Sequence, residues 1–230
     1  MKKVFRTYTD IKKYQSLTLL NRLRNYLFEG EIIKVGKKLV NEPVVDVRVV
    51  APGLLLAEQM KDFKIRKSVA EKLVKINKRL RKNKLAVKVY EMHRSLEQQR
   101  KEFVQIKAEI REKNPGISEF ELYIKTTEFI ADPDLCPPHA TGGAVDLTLV
   151  NLLTGKELEM GTLINSIDQK ACLFEKSISA KAKANRKLLW EAMKKEKFAP
   201  MCTEWWHYSY GDAYWAAIYK TKQIYDKLNA

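Results

Sequence analysis

The sequence predicts a single α+β domain in which a central, mainly antiparallel sheet is flanked by helices. Three observations lead to this prediction. Short valine-rich or alternating segments, typical of strands, occur between longer segments whose apolar residues recur at helical spacing. The two kinds of segment show no regular β-α-β alternation, which disfavours a purely parallel sheet. The 230 residues contain no internal repeat or linker, and a chain of this length can bury one full core.

Strands are predicted where β-branched or alternating apolar residues lie next to turn-forming residues. The first candidate follows Pro43 and ends before the turn-forming pair Pro52-Gly53. A later turn, over residues 151–156, would join two short strands. The predicted strands cover residues 44–50, 85–90, 147–150, 157–160 and 201–210.

Helices are predicted where apolar residues recur every three or four positions. Residues 68–83 carry one apolar stripe, with lysines and arginines on the other side; the stripe consists of Val69, Leu73, Ile76 and Leu80. Ser118 and Glu121 form a candidate capping box at the start of another helix. The predicted helices cover residues 17–28, 68–83, 95–113, 118–130, 179–197 and 213–228. Residues 1–42 carry few other signals and are predicted to be an extension packed on a domain formed by residues 43–230.

The net charge of +15 admits nucleic-acid binding, attraction to an anionic substrate or surface, and a solvated lysine-rich exterior. The basic residues are spread along several helices, and no basic run alternates with stacking aromatics. We therefore favour the solvated exterior and expect no nucleic-acid partner. No apolar run approaches the roughly 20 residues that span a bilayer, so we expect no membrane partner either.

The cysteines and the first residues together predict a cytoplasmic protein. Cys136, Cys172 and Cys202 are odd in number and lack metal-type spacing, which favours a reducing compartment. The start resembles a signal peptide in its two lysines, but charged residues follow where an apolar segment would be required.

The stretch from Cys136 to Asp146 places His139 and Asp146 seven residues apart across a Gly-Gly pair. About sixty residues later, Glu-Trp-Trp-His places Glu204 three positions before His207. Two imidazoles, one carboxylate that can bind metal and one that can move protons are the parts of a hydrolytic zinc site. Spacing alone leaves open that the histidines are ordinary packed residues, and it favours Asp146 over His93 as third ligand.

These two motifs, His-Ala-Thr-Gly-Gly-Ala-Val-Asp and Glu-Trp-Trp-His, resemble the paired motif of the VanX-type D-alanyl-D-alanine dipeptidases. Those enzymes are zinc peptidases whose fold also includes lysostaphin-type enzymes and the hedgehog signalling domain. Residues 89–94, 158–162 and 208–212 fit the same family, so the resemblance covers residues 43–212.

The resemblance implies a fold, a cofactor and roles for individual residues. One zinc per chain would be bound by His139, Asp146 and His207. Glu204 would be the catalytic base, and Arg94 would stabilise the oxyanion of the tetrahedral intermediate. The implied substrate is a small peptide, D-alanyl-D-alanine or a related cell-wall peptide. Trp205 and Trp206 are interpreted as packing residues.

The sequence departs from the family at the positions that recognise the substrate ammonium. A tyrosine, a serine and an aspartate of the family align here with Val49, the pair Pro137-Pro138 and Asn165, although Asp168 could substitute for the last. A D,D- or L,D-carboxypeptidase acting on longer peptidoglycan peptides is therefore an alternative. A zinc-binding domain without catalysis is another, but it would need neither Glu204 nor Arg94. The oligomeric state is not predicted.

Overall fold

A computed structural model describes residues 34–127, 129–135, 137–166 and 168–228 of the chain. The strands are β1 (Val44–Asp46), β2 (Leu55–Leu56), β3 (Lys64–Arg66), β4 (Leu85–Glu91), β5 (Ala144–Asn151), β6 (Ala199–Pro200) and β7 (His207–Ser209). The helices are α1 (Val47–Val50), α2 (Lys67–Arg81), α3 (Leu96–Lys113), α4 (Glu119–Thr127), α5 (Ala180–Lys195) and α6 (Ala213–Tyr219), with 3-10 turns at Pro138–Thr141 and Gln169–Ala171.

The main sheet has five strands in the order β2-β4-β5-β7-β6, and β1 pairs with β3 in a separate two-stranded sheet. In the main sheet β2 runs parallel to β4, and the other three pairings are antiparallel. The predicted α+β class is confirmed, and the main sheet is mixed rather than purely antiparallel. No helix among the described residues is both long and apolar enough to span a membrane.

The core lies between this sheet and the helices α2 and α5. Seven of the eight residues of β5 are buried, because both faces of this central strand are covered. The apolar stripe of α2 packs into the same cluster as β4 and β5, as do Leu189 and Met193 of α5. The prediction for residues 68–83 is thus confirmed, including the burial of Val69, Leu73, Ile76 and Leu80.

Helix starts follow the capping signals in the sequence. The side chains of Ser95 and Ser179 accept hydrogen bonds from the backbone N–H groups of Gln98 and Ala182, at the starts of α3 and α5. The Ser118 hydroxyl likewise accepts from the Glu121 N–H at 3.3 Å and donates to its carboxylate at 3.0 Å. Ser118 therefore caps α4 as predicted, but the Glu121 carboxylate accepts from the Ser118 hydroxyl and not from its backbone N–H as in a full capping box; α4 ends at Thr127.

Six predicted elements are wrong in extent, among them the helix over 118–130, which ends at Thr127, and the strand over 147–150, which begins at Ala144. The strand over 44–50 ends at Asp46, whose carboxylate caps α1 by accepting from Arg48 N–H. The strand over 157–160 is reduced to one bridge between Val150 and Glu157. The strand over 201–210 forms only from His207, and the helix over 213–228 ends at Tyr219 because Lys220 is left-handed, with φ 52°.

Part of the predicted N-terminal extension is described, and its residues 36–40 lie beside residues 223 and 224. Lys38 and Val40 donate backbone hydrogen bonds to the carbonyls of Gln223 and Ile224, at 2.8 and 3.0 Å. The Tyr225 hydroxyl donates to the Glu42 carboxylate at 2.5 Å. The predicted helix over 17–28 lies outside the described residues, and the domain boundary at 42/43 stays a prediction.

Candidate metal centre and active site

The candidate site lies on three neighbouring strands of the main sheet, β4, β5 and β7, at residues that pair with one another across the sheet. Glu91 at the end of β4 pairs with Asp146 of β5, and Asp146 pairs with His207 of β7. A register shift between Val89 and Glu91 interrupts the regular alternation of β4 at this point. One row across the sheet therefore carries two carboxylates and an imidazole that lie far apart in the sequence.

The Gly-Gly pair allows the turn that brings His139 to this row. Gly142 has φ 68°, a left-handed conformation that glycine adopts without strain. At Gly143 a Cβ atom would lie 2.2 Å from the backbone oxygen of Tyr210, so only glycine fits against the neighbouring chain. The 3-10 turn at Pro138–Thr141 can then place His139 beside the first residues of β5.

Both imidazoles are oriented by hydrogen bonds from the nitrogen that faces away from the site. His139 Nδ1 lies 2.6 Å from the carbonyl oxygen of Met92, so it carries the proton and donates it. His207 Nε2 lies 3.2 Å from the hydroxyl oxygen of Ser209. The remaining nitrogens, Nε2 of His139 and Nδ1 of His207, are free to present lone pairs to a common point. Such outer partners fix the tautomer of metal-binding histidines.

The ligand atoms of His139, Asp146 and His207 form a small triangle. His139 Nε2 and His207 Nδ1 are 3.1 Å apart, and they lie 3.3 and 3.0 Å from Asp146 Oδ1. Atoms bound to zinc at about 2.0–2.1 Å in a tetrahedron lie about 3.3 Å apart, close to these distances. All three residues are buried, and they form a group that could hold a metal ion.

Asp146 supplies a second observation in favour of a cation at this triangle. Its Oδ1 atom is fully buried and makes no hydrogen bond of regular geometry with a described residue, although imidazole nitrogens lie 3.3 and 3.0 Å from it. Burial alone would raise the pKa of this carboxyl, but the two histidines outweigh that effect and hold the pKa well below its usual range. A buried, ionised oxygen without a hydrogen bond is costly, and metal coordination relieves that cost.

Glu204 lies beside the triangle and outside it. Its Oε2 atom is 3.9 Å from His207 Nδ1, and Glu204 does not belong to the group whose ligand atoms all lie within 4.8 Å of one another. The chain turns between the two residues, since His207 N–H donates to the Glu204 carbonyl at 3.2 Å. Burial, reinforced by the charge of Asp146, raises the pKa of the Glu204 carboxyl to about 8.

Arg94 follows β4 and is held by side chains around it. Its Nε donates to Glu91 at 2.7 Å, and Nη2 donates to the other oxygen of the same carboxylate. Nη1 donates to Gln99 Oε1 at 3.1 Å and lies 3.0 Å from Glu102. Burial alone would lower the pKa of the guanidinium, but Glu91 and Glu102 raise it, so Arg94 stays charged. Its backbone N–H lies 3.4 Å from the carbonyl oxygen of His139, which joins this residue to the metal-binding turn.

The other residues singled out from the sequence lie around this centre. His93 Nδ1 lies 2.7 Å from Asp62, and His93 is not in the metal-binding group. Trp205 and Trp206 are buried with their rings in edge contact, and Trp205 donates to the Thr162 hydroxyl at 2.9 Å.

The side chains at the positions aligned with ammonium recognition carry no charge. Val49 is 78% exposed, Pro137 and Pro138 are buried, and Asn165 is exposed with φ 62°. The Asp168 carboxylate accepts from Lys170 N–H at 2.8 Å, which caps the second 3-10 turn.

Sequence reasoning did not identify the residues that orient the site. Glu91 and Gln99 hold Arg94, while Met92 and Ser209 orient the two imidazoles. Glu91 had a local signal, since it stands three residues before Arg94 next to a strand end. Ser209, two residues after His207, had a local signal as well, whereas Met92 lies 47 residues from His139 and left no pattern in the sequence.

Comparisons with known proteins identify the family of this chain. A peptidase M15 family model, described as D-ala-D-ala dipeptidase, matches residues 55–226. A D-alanyl-D-alanine dipeptidase of Enterococcus faecium is 36% identical over 70 residues, which are 30% of this chain and 35% of that protein. One of Synechocystis sp. is 31% identical over 97 residues, 37% of this chain and 39% of that protein. The matched segments thus span less than half of these relatives.

Among solved structures, the LdcB LD-carboxypeptidase is similar with a TM-score of 0.47 and 18% identity, over 82% of this chain and 81% of that one. VanYB in complex with D-alanine-D-alanine has a TM-score of 0.44 and 17% identity, over 75% and 88% of the two chains.

Proposed function

Because the chain belongs to the D-Ala-D-Ala dipeptidase family of peptidases, we propose that it hydrolyses D-alanyl-D-alanine or a related cell-wall peptide as a zinc enzyme. One zinc per chain would be held by His139, Asp146 and His207. The observation that carries the proposal is the buried triangle of ligand atoms 3.0–3.3 Å apart, with a second carboxylate beside it. When bound, zinc would polarise the scissile carbonyl and lower the pKa of a water to about 7.

Glu204 performs the proton transfers in this proposal. Its carboxylate takes a proton from the attacking water and later gives one to the leaving amine. The raised pKa of about 8 belongs to the metal-free site, where burial opposes the charge. A dication on the adjacent ligands would favour the ionised form, so Glu204 could act as a base near neutral pH. A site that only holds metal would gain nothing from a second, part-buried carboxylate in this position.

Arg94 supplies the positive charge for the oxyanion that develops on the scissile carbonyl. Its guanidinium is held near the site by Glu91 and Gln99, so it would need little reorganisation during the reaction. A fixed donor aimed at a developing charge lowers the barrier more than a mobile one. Arg94 and Glu204 together distinguish a hydrolase from a zinc-binding domain without catalysis.

A carboxypeptidase acting on longer peptidoglycan peptides is the second candidate. The observation in its favour is that Val49 and Asn165 offer no charge at positions that the dipeptidases use for the substrate ammonium. Because these positions offer no anionic partner, a substrate with a free ammonium group should bind little more tightly than a substrate whose nitrogen is acylated. Both candidates share the same chemistry at the scissile bond.

One assay tests the reaction and separates the two substrates. Release of free alanine, with its configuration assigned, is measured for D-Ala-D-Ala, its L-isomers, the D-Ala-D-lactate depsipeptide, N-acetyl-D-Ala-D-Ala and a muropeptide pentapeptide, with zinc content determined on the same sample. We expect zinc-dependent hydrolysis of the D,D-peptides and none of the L-isomers. A preference for the acetylated dipeptide and the pentapeptide would favour the carboxypeptidase. A zinc-loaded protein that cleaves none of them would refute the proposal.

A further inference from the structure

We propose that Glu91 is a positioning residue, which fixes the guanidinium of Arg94 for oxyanion stabilisation; this inference rests on the proposed hydrolysis. Glu91 is not a member of the candidate metal-binding triangle, and in this proposal its carboxylate acts through Arg94.

The hydrogen bonds of Arg94 support this role. A guanidinium has five N–H donors in one plane. Glu91 accepts from Nε and Nη2 with its two oxygens, a bidentate contact that fixes the plane of the guanidinium as well as its position. Gln99 accepts from Nη1, and Glu102 lies beside the same nitrogen. The second N–H of Nη2 has no acceptor among the described residues, so one donor remains for a substrate oxygen.

The backbone around Glu91 explains how it reaches this place. The register shift in β4 lies directly before Glu91, and Glu91 then pairs with the candidate metal ligand Asp146. The same strand end leads on to Arg94, whose side chain folds back over three residues to meet Glu91. Because of this register shift, Glu91 lies directly opposite Asp146 on the neighbouring strand.

The three partners of Arg94 are not equivalent. Gln99 is buried and its amide donates to the carbonyl of Ala131 at 2.7 Å, so it ties Arg94 to the neighbouring loop. Glu102 is more exposed than Glu91, with 33% against 23% of the side chain accessible, and contacts only Nη1. Glu91 alone combines a charge with a two-point contact, and its loss would leave the guanidinium free to rotate.

The test compares Glu91→Gln with the wild type in D-alanine release. The amide keeps the shape, but it offers one acceptor and turns an N–H group toward the guanidinium. We expect kcat to fall by about 10- to 100-fold, less than for loss of the arginine itself. KM should change by less than about threefold and zinc content should stay at one per chain, since substrate binding and metal ligands are untouched. Glu91→Asp, which keeps the carboxylate, should retain more activity than Glu91→Gln.

A double-mutant cycle separates positioning from a structural role. If Glu91 acts through Arg94, Glu91→Gln should have almost no further effect on kcat in an Arg94→Ala background. Glu97→Gln, the same substitution at an exposed glutamate of α3 paired with Lys101, is the matched control and should leave kcat unchanged.

Two outcomes would overturn the inference while leaving the proposed hydrolysis intact. One is a Glu91→Gln variant with wild-type kcat. The other is an equal loss of kcat in both backgrounds, which would show that Glu91 supports the fold independently of Arg94. Failure of the proposed function would look different, because the wild-type protein would then release no D-alanine at all. If Glu91→Gln does not fold, Glu91→Asp carries the same cycle.

Discussion

Replacement of Glu204 by glutamine separates an enzyme from a domain that only binds zinc. The structure places the Glu204 carboxylate 3.9 Å from His207 Nδ1, whereas the three ligand atoms lie 3.0–3.3 Å from one another. Glu204 is therefore beside the proposed metal position and outside the proposed ligand set. Glutamine keeps the shape and the hydrogen-bonding reach of the side chain, but it cannot accept and return a proton.

The expected magnitudes follow from this placement. Loss of general acid–base catalysis lowers turnover by about 10²–10⁴-fold. At about 1.36 kcal/mol per tenfold change, this corresponds to a barrier higher by about 2.7–5.4 kcal/mol. Outer residues near a metal contribute about 10–100-fold to its affinity. Zinc binding should therefore weaken by no more than this factor, and the variant should still be fully loaded under stoichiometric conditions.

The assay measures D-alanine release and zinc content on the same Glu204→Gln sample, with thermal unfolding as the control for folding. A variant that hydrolyses the peptide at the wild-type rate would show that another group moves the proton. A variant that is folded but has lost its zinc would show that Glu204 is a ligand, and the triangle would have to be reassigned.

Three further perturbations test other parts of the site. Arg94→Ala should keep its zinc and lose about 10²–10³-fold in turnover. Arg94→Lys should not restore the rate, since a lysine ammonium lacks the planar, forked donors of a guanidinium. A turnover near wild type for either variant in steady-state kinetics would contradict this prediction. Gly143→Ala should lower the free energy of unfolding by at least about 2 kcal/mol, because the new Cβ would lie 2.2 Å from a backbone oxygen. The control Gly53→Ala, whose Cβ would have nothing within 4 Å, should cost far less, and equal denaturation midpoints of the two variants would contradict the predicted clash. The metal-free protein should lose stability as pH rises from about 5 to 9. Burial raises the pKa of Glu204 to about 8, and the pKa of His139, which burial alone would lower, is raised to about 9 by the neighbouring carboxylate of Asp146. In this pH range the folded state therefore holds protons that the unfolded chain releases. Zinc replaces those protons, so the zinc-induced rise in Tm should be larger at pH 9 than at pH 6, and the reverse order would contradict the linkage.

The sequence by itself determined the elements whose signals are local. The helices α2, α3 and α5 follow from apolar spacing and, for the last two, from serine caps, all within a few residues. The motif from His139 to Asp146 is also local, because two glycines and a short turn suffice to bring its ends together. Glu204 and His207 are close because the chain turns between them.

The tertiary structure decided what depends on distant partners. Strand β7 is only three residues long, since its length is set by pairing with β5 and β6 and not by its own aromatic content. The C-terminal helix stops at Tyr219 because the following segment turns back to bond with residues 36–40, a contact that no helical periodicity can reveal.

The same reason applies to the site. Glu91, Asp146 and His207 align because three strands share a register, and the hydrogen bonds that the imidazoles make with the Met92 carbonyl and the Ser209 hydroxyl select the nitrogens that face the centre. Side-chain types and short spacings predicted the candidate reacting groups, since their chemistry is a property of single residues. Their orientation depends on the backbone path, since even the nearby partners Ser209 and Glu91 reach His207 and Arg94 only through the strand and bulge geometry, and Met92 lies 47 residues from His139.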